Sequence, residues 1–261
     1  MEIIPDSHDL SRHTMKEFAA LLEGDRLVVV MVPVGAVEPH GPHLGLGTDE
    51  VISLGAAIRA AVILEDEGMA PLIAPSVPYG VTESAAAFKG AVSVSPDALT
   101  RYLHDIISSL INDGVQHVCL VNNHLEPEQI AAVKNATNAF EPGRVSVACP
   151  VTKRWARTLS EEFKSGACHA GEYETSIVME FAPGFVREDV RQKLPGVSVS
   201  LSERLGRGVT DFIEMGLTEA YSGDPSRANA RHGRDQLEKL ATMIATEVLE
   251  AIGPGRSPST S

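Results

Sequence analysis

Residues 26–50 read RLVVVMVPVGAVEPHGPHLGLGTDE, a run of apolar residues that leads directly into a segment rich in glycine and proline. The apolar part, 26–35, is typical of a strand that is buried on both faces of a parallel sheet. The segment after it carries two histidines and three carboxylates. Because open α/β sheets bind ligands beyond the carboxyl ends of their strands, this loop is the first place to expect a functional site.

The rest of the chain alternates between two kinds of pattern. Apolar, β-branched runs bounded by turn residues predict three more buried strands, at 70–80, 117–123 and 144–150. Apolar residues at three- and four-residue intervals predict helices at 49–67, 96–113 and 128–140, with two more from Gly171 onward and at 234–252. This alternation favours an α/β fold, a single domain with a mostly parallel central sheet flanked by helices on both faces.

The pattern also suggests where the domain ends. No repeat or linker interrupts residues 1–252, so we expect one domain over that range. Residues 253–261 read GPGRSPSTS and offer no apolar side chain to bury, which predicts a disordered C-terminal tail. At 261 residues, the chain is long enough to bury a sizeable core without disulfides or structural metals.

The composition argues against several classes of partner. A formal net charge of -13 disfavours nucleic acid, whose binding draws on clustered lysine and arginine. The three cysteines are scattered, without a CxxC spacing, which favours a reducing compartment. There is no secretory pattern at the N-terminus, and no apolar run approaches the roughly 20 residues needed to cross a bilayer. We therefore expect a cytoplasmic protein with no membrane partner.

Two later segments carry the same residue types as the first loop. NNHLEPE follows the third predicted strand, and CHAGEYETS leads into a predicted helix. Together they supply His124, Glu126, His169, Glu172 and Glu174. If the three segments converge at one edge of the sheet, their mixture of imidazole and carboxylate suits Zn, Mn or Fe, whereas an all-oxygen set would suggest Mg or Ca.

The spacing of these residues indicates two metal ions. Glu38 and His40 lie two positions apart, as do His124 and Glu126, so each pair shares one face of an extended segment. Asp49 follows a glycine-rich turn and offers two oxygens, the usual means of bridging two ions about 3.5–4 Å apart. The sequence therefore predicts a dinuclear site.

These motifs resemble the creatininase (creatinine amidohydrolase) family. PVGAVEPHGPHLGLGTD is similar to the family pattern P-x-G-[AS]-x-E-x-H-G-x-H-L-x-[LI]-x-T-D. Three later blocks are also similar, in unchanged order: YG followed by FKGAVSV, then HAGEYETS, then YSGDPSRANARHG. The resemblance extends from about residue 10 to residue 250 and implies a creatininase-like fold and a dinuclear metal hydrolase.

The resemblance also implies a set of ligands. Glu38 and His124 would bind the first metal, His40 the second, and Asp49 both. In creatininase the middle loop supplies the remaining carboxylate, where this chain has Glu126. In deformylase- and peptidase-like relatives a glutamate of the HAGE block takes that part, where this chain has Glu172. We expect Glu126 to complete the site, with Glu172 binding directly, acting through water or serving as acid/base.

The expected chemistry is hydrolysis of a carbon–nitrogen bond, in an amide, lactam or formamide of a small, cyclic substrate. A metal-bridging water of lowered pKa supplies hydroxide, and the second metal polarises the carbonyl. His169 is the candidate for protonating the leaving nitrogen or stabilising the oxyanion. Glu174 either orients a ligand or interacts favourably with the N-terminus of its helix.

Departures from the family pattern leave the substrate open. Residues 165–168, just before His169, lack the aromatic and acidic side chains that enclose creatinine in creatininase, so creatinine itself is not expected. Ser84 replaces a histidine frequent in relatives. Hydrolysis of a carbon–carbon bond in a cyclic ketone, a peptidase-like activity and a non-catalytic assembly role all remain alternatives. The resemblance implies a homohexamer, and the donor types suit two divalent ions, Zn or Mn, with Fe as an alternative.

Overall fold

The computed structural model describes residues 4–253, so all but the first residue of the predicted tail lies outside the described range. Its sheet has four strands: β1 (Val28–Val34), β2 (Ala70–Ile73), β3 (His117–Asn122) and β4 (Val145–Ala148). The strand order is β2-β1-β3-β4, and each pair is parallel. The expectation of an α/β fold with a parallel sheet is confirmed.

Side chains alternate between the two faces of the sheet and build two cores. Val29 and Met31 of β1 contribute to one core, and Val28 and Val30 contribute to the other. All four are fully buried, which is why the run in β1 is continuously apolar and not alternating. The sheet is therefore covered on both faces, as predicted.

Three helices cover the first face: α2 (Thr48–Asp66), α7 (Glu172–Phe181) and α11 (Ala230–Ile252). The second face is covered by α1 (Met15–Leu22), α3 (Pro96–Asn112) and α4 (Pro127–Asn135). Helices α7 and α11 approach very closely, because a Cβ on Gly233 would lie 1.8 Å from the carbonyl oxygen of Ser176. Glycine at this position lets α11 hold α7 against the sheet.

Short helices fill the connections between these elements. They are α5 (Lys153–Ala156), α6 (Glu161–Ser165), α8 (Glu188–Arg191), α9 (Leu201–Gly206) and α10 (Phe212–Met215). Single 3-10 turns occur at Leu10–Arg12, Pro183–Phe185 and Pro225–Arg227. In residues 4–253, no helix is long and apolar enough to span a membrane.

Three predicted boundaries were wrong. The continuous strand predicted at 70–80 ends at Ile73, because prolines at 75 and 78 cannot donate to a ladder, and only an isolated bridge between Val77 and Val34 follows it. The helix predicted at 128–140 ends at Asn135, and the Thr137 hydroxyl then bonds the Lys134 carbonyl at 2.8 Å, an alternative to continued helix. The last helix begins at residue 230 rather than 234, because the Asn229 side chain accepts from the His232 N–H and caps it.

The order of the strands places a binding crevice at the ends of β1 and β3. The chain leaves β1 for β2 on one side, then crosses back to β3 on the other side. Val34 and Asn122, the last residues of the two strands, are register partners. Loops that leave adjacent strands at such a reversal diverge and open a crevice between them, which is where ligands bind in doubly wound sheets.

Candidate metal centre

Three segments bring acidic and imidazole side chains to this crevice. Glu38 and His40 lie in the loop after β1, and Asp49 lies in the first turn of α2. Helix α2 begins very close to the end of β1, because a Cβ on Gly35 would lie 2.5 Å from the backbone nitrogen of Glu50. The loop after β3 and the start of α7 supply the remaining side chains, His124, Glu126, His169 and Glu174.

Asp49 lies between two imidazoles. Its Oδ1 is 3.2 Å from His40 Nε2, and its Oδ2 is 3.1 Å from His124 Nδ1. A further carboxylate accompanies each imidazole. Glu38 Oε1 lies 3.3 Å from His124 Nδ1, and Glu174 Oε2 lies 3.6 Å from His40 Nε2. All five side chains are buried. These distances define a cluster of two imidazole–carboxylate pairs, His124 with Glu38 and His40 with Glu174, that share Asp49.

Hydrogen bonds to the backbone fix the orientation of the three histidines. His40 Nδ1, His124 Nε2 and His169 Nε2 lie 3.1, 2.7 and 3.0 Å from backbone carbonyl oxygens. A carbonyl oxygen only accepts, so the ring nitrogen bonded to it carries the hydrogen. The other nitrogen of each neutral ring then turns its lone pair toward the cluster. Metal-binding histidines are typically oriented in this way.

Donors from neighbouring segments orient two of the carboxylates. The Thr82 hydroxyl donates to Glu38 Oε2 at 2.6 Å, and the Ala170 N–H donates to Glu174 Oε2 at 2.6 Å. Ala170 has a φ of 54°, in the left-handed region, and is fully buried. The backbone beside His169 is therefore held in a conformation that costs energy and that directs an N–H at Glu174.

The two glutamates of α7 have different surroundings. Glu174 lies in the cluster, whereas Glu172 Oε1 lies 3.2 Å from His232 Nδ1 and its Oε2 lies 3.9 Å from Arg227 Nε. Residues two positions apart on a helix are separated by about 200° around its axis, so only one of the two can face the sheet. The structure therefore places the Glu172 carboxylate outside the cluster and the Glu174 carboxylate within it.

Glu126 lies beside the cluster with both oxygens already hydrogen-bonded. Its Oε1 accepts from the Glu83 N–H at 3.0 Å, and its Oε2 accepts from the Ser84 N–H at 3.1 Å. Burial raises the pKa of Glu126, and these N–H donors and His124 counteract part of that rise. Glu126 therefore stands near Glu38 and His124 as a carboxyl group that holds a proton more readily than an exposed one.

The cluster perturbs the pKa values of its members. Burial disfavours the charged form of His40, but Asp49, Glu174 and Glu38 outweigh it and raise the His40 pKa to about 10. Burial raises the pKa of Glu174 to about 8, although His40 opposes the rise. Burial also raises the pKa of Asp49, but His40 and His124 reverse this effect and leave it lowered. A cluster without metal thus retains protons at neutral pH.

The donor atoms fit metal ions. Three groups have ligand atoms within 4.8 Å of one another: Glu38 with His40 and His169, Glu38 with His124 and Glu126, and His40 with Asp49 and Glu174. Four ligands at about 2.1 Å around a tetrahedral ion lie about 3.4 Å from each other. The imidazole nitrogens and carboxylate oxygens of the cluster lie 3.1 to 3.6 Å apart, close to that value. His40 Nε2 and Asp49 Oδ2 are buried without a hydrogen-bond partner, which two metal positions would satisfy.

A cavity of about 390 Å³ opens onto the cluster. The buried carboxylates and His124 form its floor, and apolar side chains of α6, α9 and α10 form much of its wall. The ring centroids of His169 and Phe212 are 4.8 Å apart, which places this imidazole between floor and wall. Cys168 also lines the cavity, but burial raises the pKa of its thiol, so it remains a thiol at neutral pH.

The structure brings six of the seven predicted site residues together and places the seventh apart from them. Glu38, His40, Asp49, His124, Glu126 and His169 converge, and Glu172 does not. Glu174 had been assigned a lesser role, although a signal was present. It shares a helical stripe with Ile177, Val178 and Phe181, all buried, and a carboxylate on such a stripe requires a buried partner.

The fold and cluster define an α/β protein with a candidate metal centre of mixed nitrogen and oxygen donors. The family model described as Creatininase: Creatinine amidohydrolase matches residues 11–248, and the chain belongs to the creatininase family. The resemblance inferred from the motifs is therefore confirmed.

Individual relatives within the family carry different names. A mycofactocin precursor peptide peptidase from Mycolicibacterium smegmatis is 32% identical over 231 residues, 84% of each chain. A creatinine amidohydrolase from Pseudomonas putida is 32% identical over 119 residues, 43% of each chain. The solved structure titled "Creatininase Mn" superposes with a TM-score of 0.73 at 22% identity, covering 95% of this chain and 100% of that one, which shows the shared fold.

Proposed function

We propose that this protein is a dinuclear metal-dependent hydrolase that cleaves a carbon–nitrogen amide bond of a small substrate. The observation that carries the proposal is the placement of Asp49, whose two oxygens lie 3.2 and 3.1 Å from the imidazoles of His40 and His124. A carboxylate between two imidazoles, each with a second carboxylate, is the arrangement expected of a bridging ligand.

The distances within the cluster support a proposal with two ligand positions. Glu38 and His124 would hold one ion, His40 and Glu174 would hold the other, and Asp49 would contact both. Imidazole and carboxylate donors favour Zn or Mn, and Fe also accepts such a set. When bound, the ions supply Lewis acidity and a water of lowered pKa.

Two side chains next to the ligands would contact the substrate and transfer protons to or from it. His169 directs Nδ1 toward Glu38 Oε1 at 3.7 Å and also lines the cavity, so it can reach a substrate held over the cluster. Its role would be to stabilise the developing oxyanion or to protonate the leaving nitrogen. Glu126, in the same cavity, is held by two N–H donors and would act as an acid/base group or as an additional ligand.

The apolar wall of the cavity would limit the access of bulk water and hold the amide against the cluster. A volume of about 390 Å³ accommodates a small molecule or one to two amino-acid residues. The residues before His169 differ from those that enclose creatinine in creatininase. We therefore propose an amide, lactam or formamide other than creatinine as the substrate.

A substrate screen tests this function. The protein, loaded with Mn or Zn, is incubated with small cyclic amides, formamides and short peptides, and release of amine or carboxylate is measured. We expect hydrolysis that disappears on chelation and returns with metal, and that is lost in His124→Ala with the fold retained. Full activity in metal-free protein would defeat the proposal.

A peptidase-like activity is the second candidate. The relative from Mycolicibacterium smegmatis bears the name of a peptide peptidase and matches 84% of the chain, which favours a peptide as the substrate. Peptide bonds are themselves amides, so the chemistry at the metal site would be the same. The screen separates the two candidates, because a peptidase would cleave short linear peptides in preference to lactams of similar size.

A further inference from the structure

The mouth of the cavity carries basic side chains, although the chain has a formal net charge of -13. Lys153, Arg157 and Lys164 line the cavity and are exposed. Lys164 is paired with Glu161, whose Oε1 lies 2.5 Å from its Nζ. Among the residues that the structure describes, neither Lys153 nor Arg157 forms an ion pair. Two unpaired cations at the entrance of a cavity in an acidic protein require an explanation.

The orientation of α5 fixes both cations on the cavity side. Trp155 Nε1 donates to Glu247 Oε1 at 2.5 Å, and Arg154 makes two bonds to Glu250, of 2.6 and 2.7 Å. Both glutamates belong to α11, so one side of α5 is tied to that helix. Lys153 and Arg157 are four positions apart, a spacing that places side chains on one face of a helix. The ties to α11 therefore leave this pair directed at the cavity.

The rest of the cavity restricts where an anion could bind. Its floor contains the carboxyl groups of Glu38, Asp49 and Glu174, which are taken up by the cluster with His40 and His124. Its wall includes Phe163, Leu205, Phe212 and Met215, which favour an apolar group. An anionic group would thus find favourable charge at the mouth, beyond the apolar wall. A substrate that matches all three zones has an amide for the floor, an apolar side chain for the wall and an anion for the mouth.

We propose that Lys153 and Arg157 bind a carboxylate of the substrate, so that the substrate class is N-acyl amino acids or short peptides with an apolar C-terminal residue and a free carboxyl terminus. The arginine guanidinium can make two parallel bonds to a carboxylate, and the lysine adds a point charge. This inference rests on the proposed amide hydrolysis, because it assigns a binding site to the carboxylate of the substrate whose amide is cleaved at the cluster.

A binding measurement tests the inference independently of catalysis. N-acetyl-leucine and N-acetyl-leucinamide differ only in the carboxylate, and calorimetric titration gives the dissociation constant of each. We expect the acid to bind at least about tenfold more tightly than the amide, as a charged hydrogen-bonded pair provides. Lys153→Gln and Arg157→Gln should each weaken binding of the acid by roughly tenfold and leave binding of the amide unchanged.

A matched control removes one positive charge elsewhere. Lys134→Gln, on the exposed side of α4 and outside the cavity, should preserve the preference for the acid. The inference is overturned if the acid does not bind more tightly than the amide, including the case in which neither binds. It is also overturned if the Lys153→Gln, Arg157→Gln double variant retains the preference, since the carboxylate would then bind at the cluster.

Hydrolysis separates this inference from the proposed function. Metal-loaded protein that cleaves N-acyl dipeptides and their C-terminal amides equally well would overturn the carboxylate site and support amide hydrolysis. Protein that binds the acid selectively through Lys153 and Arg157, but hydrolyses no amide with any metal, would support the carboxylate site and overturn the proposed function.

Discussion

Glu172 and Glu174 lie two positions apart on α7, and their carboxylates have separate partners. Glu174 Oε2 lies 3.6 Å from His40 Nε2 inside the buried cluster, whereas Glu172 Oε1 lies 3.2 Å from His232 Nδ1. This relationship decides which glutamate of the CHAGEYETS segment can contribute to a metal site. It also provides a matched pair of substitutions, because both change the same residue type on the same helix.

Exchange of these two glutamates for glutamine should therefore have unequal effects. We expect Glu174→Gln to lower kcat/KM by about 100-fold or more and to lower the bound metal toward one ion per chain, because a ligand is lost. Glu172→Gln should keep kcat/KM within about twofold of that of the unsubstituted protein, because partly exposed ion pairs contribute little. Steady-state kinetics and elemental analysis provide both readouts, and equal losses in the two variants would contradict this assignment.

Metal binding should release protons. The pKa of His40 is raised to about 10 and that of Glu174 to about 8, so both groups hold protons at pH 7 when no metal is present. Ligands bind metals in their deprotonated form, so loading must displace these protons and affinity must rise with pH from 7 toward 10. Titration of metal-free protein with Zn or Mn in weak buffer with an indicator dye measures the release; an unchanged pH on loading would refute the expectation.

Ala170 should tolerate glycine and reject valine. Its φ of 54° suits glycine, which relieves strain in the native state but gives the unfolded chain greater freedom, so Ala170→Gly should change the free energy of unfolding by less than about 1 kcal/mol. A β-branched residue is a steric outlier at positive φ and would also overfill a buried site, so Ala170→Val should cost more than about 3 kcal/mol. Urea denaturation compares them; a stable Val variant would show that the strain is absent.

Glu162 should be needed to position the start of α7. Its two oxygens accept from the Tyr173 N–H at 2.8 Å and the Asp224 N–H at 2.7 Å, which ties α6 to both segments. Glu162→Gln replaces one acceptor by a donor, so we expect a loss of about 1–3 kcal/mol in the free energy of unfolding and a lower kcat. Glu161→Gln, which removes an exposed pair with Lys164, is the control and should change stability by less than about 1 kcal/mol.

A purely structural role for Glu162 would change stability but not the site. The distinguishing readout is metal affinity, which should fall in Glu162→Gln because Glu174 and its helix shift together. If the variant binds metal as tightly as the unsubstituted protein at a temperature where both are folded, Glu162 has no positioning role.

The sequence predicted the sheet well because three of its strands, β1, β2 and β3, are buried on both faces. A continuous apolar run such as 28–34 has few alternatives to a central parallel strand, and the residues that follow it must then lie at one edge. Boundaries set by single side chains were harder to predict. The Asn229 cap and the Thr137 hydrogen bond each moved a helix end, and neither interaction shows in an apolar pattern.

The candidate site was only partly predictable for a similar reason. Residues in loops after β1 and β3 could be placed from strand order alone, but the choice between Glu172 and Glu174 depends on which side of α7 faces the sheet. Helix α7 is buried on most of its surface, so the stripe that Glu174 shares with Ile177, Val178 and Phe181 does not stand out clearly from the rest of the helix. Lys153 and Arg157 could not be assigned at all, because α5 has only four residues and owes its orientation to contacts with α11.

The central claim is that two divalent ions bind at the cluster around Asp49 and are required for amide hydrolysis. The most direct measurement is titration of metal-free protein with Zn or Mn while hydrolysis of an amide substrate found in the screen is followed. We expect activity to rise with metal and to reach its plateau at two equivalents per chain, with no such activity in Asp49→Asn. Full hydrolysis before any metal is added, or a plateau that Asp49→Asn shares, would contradict the account.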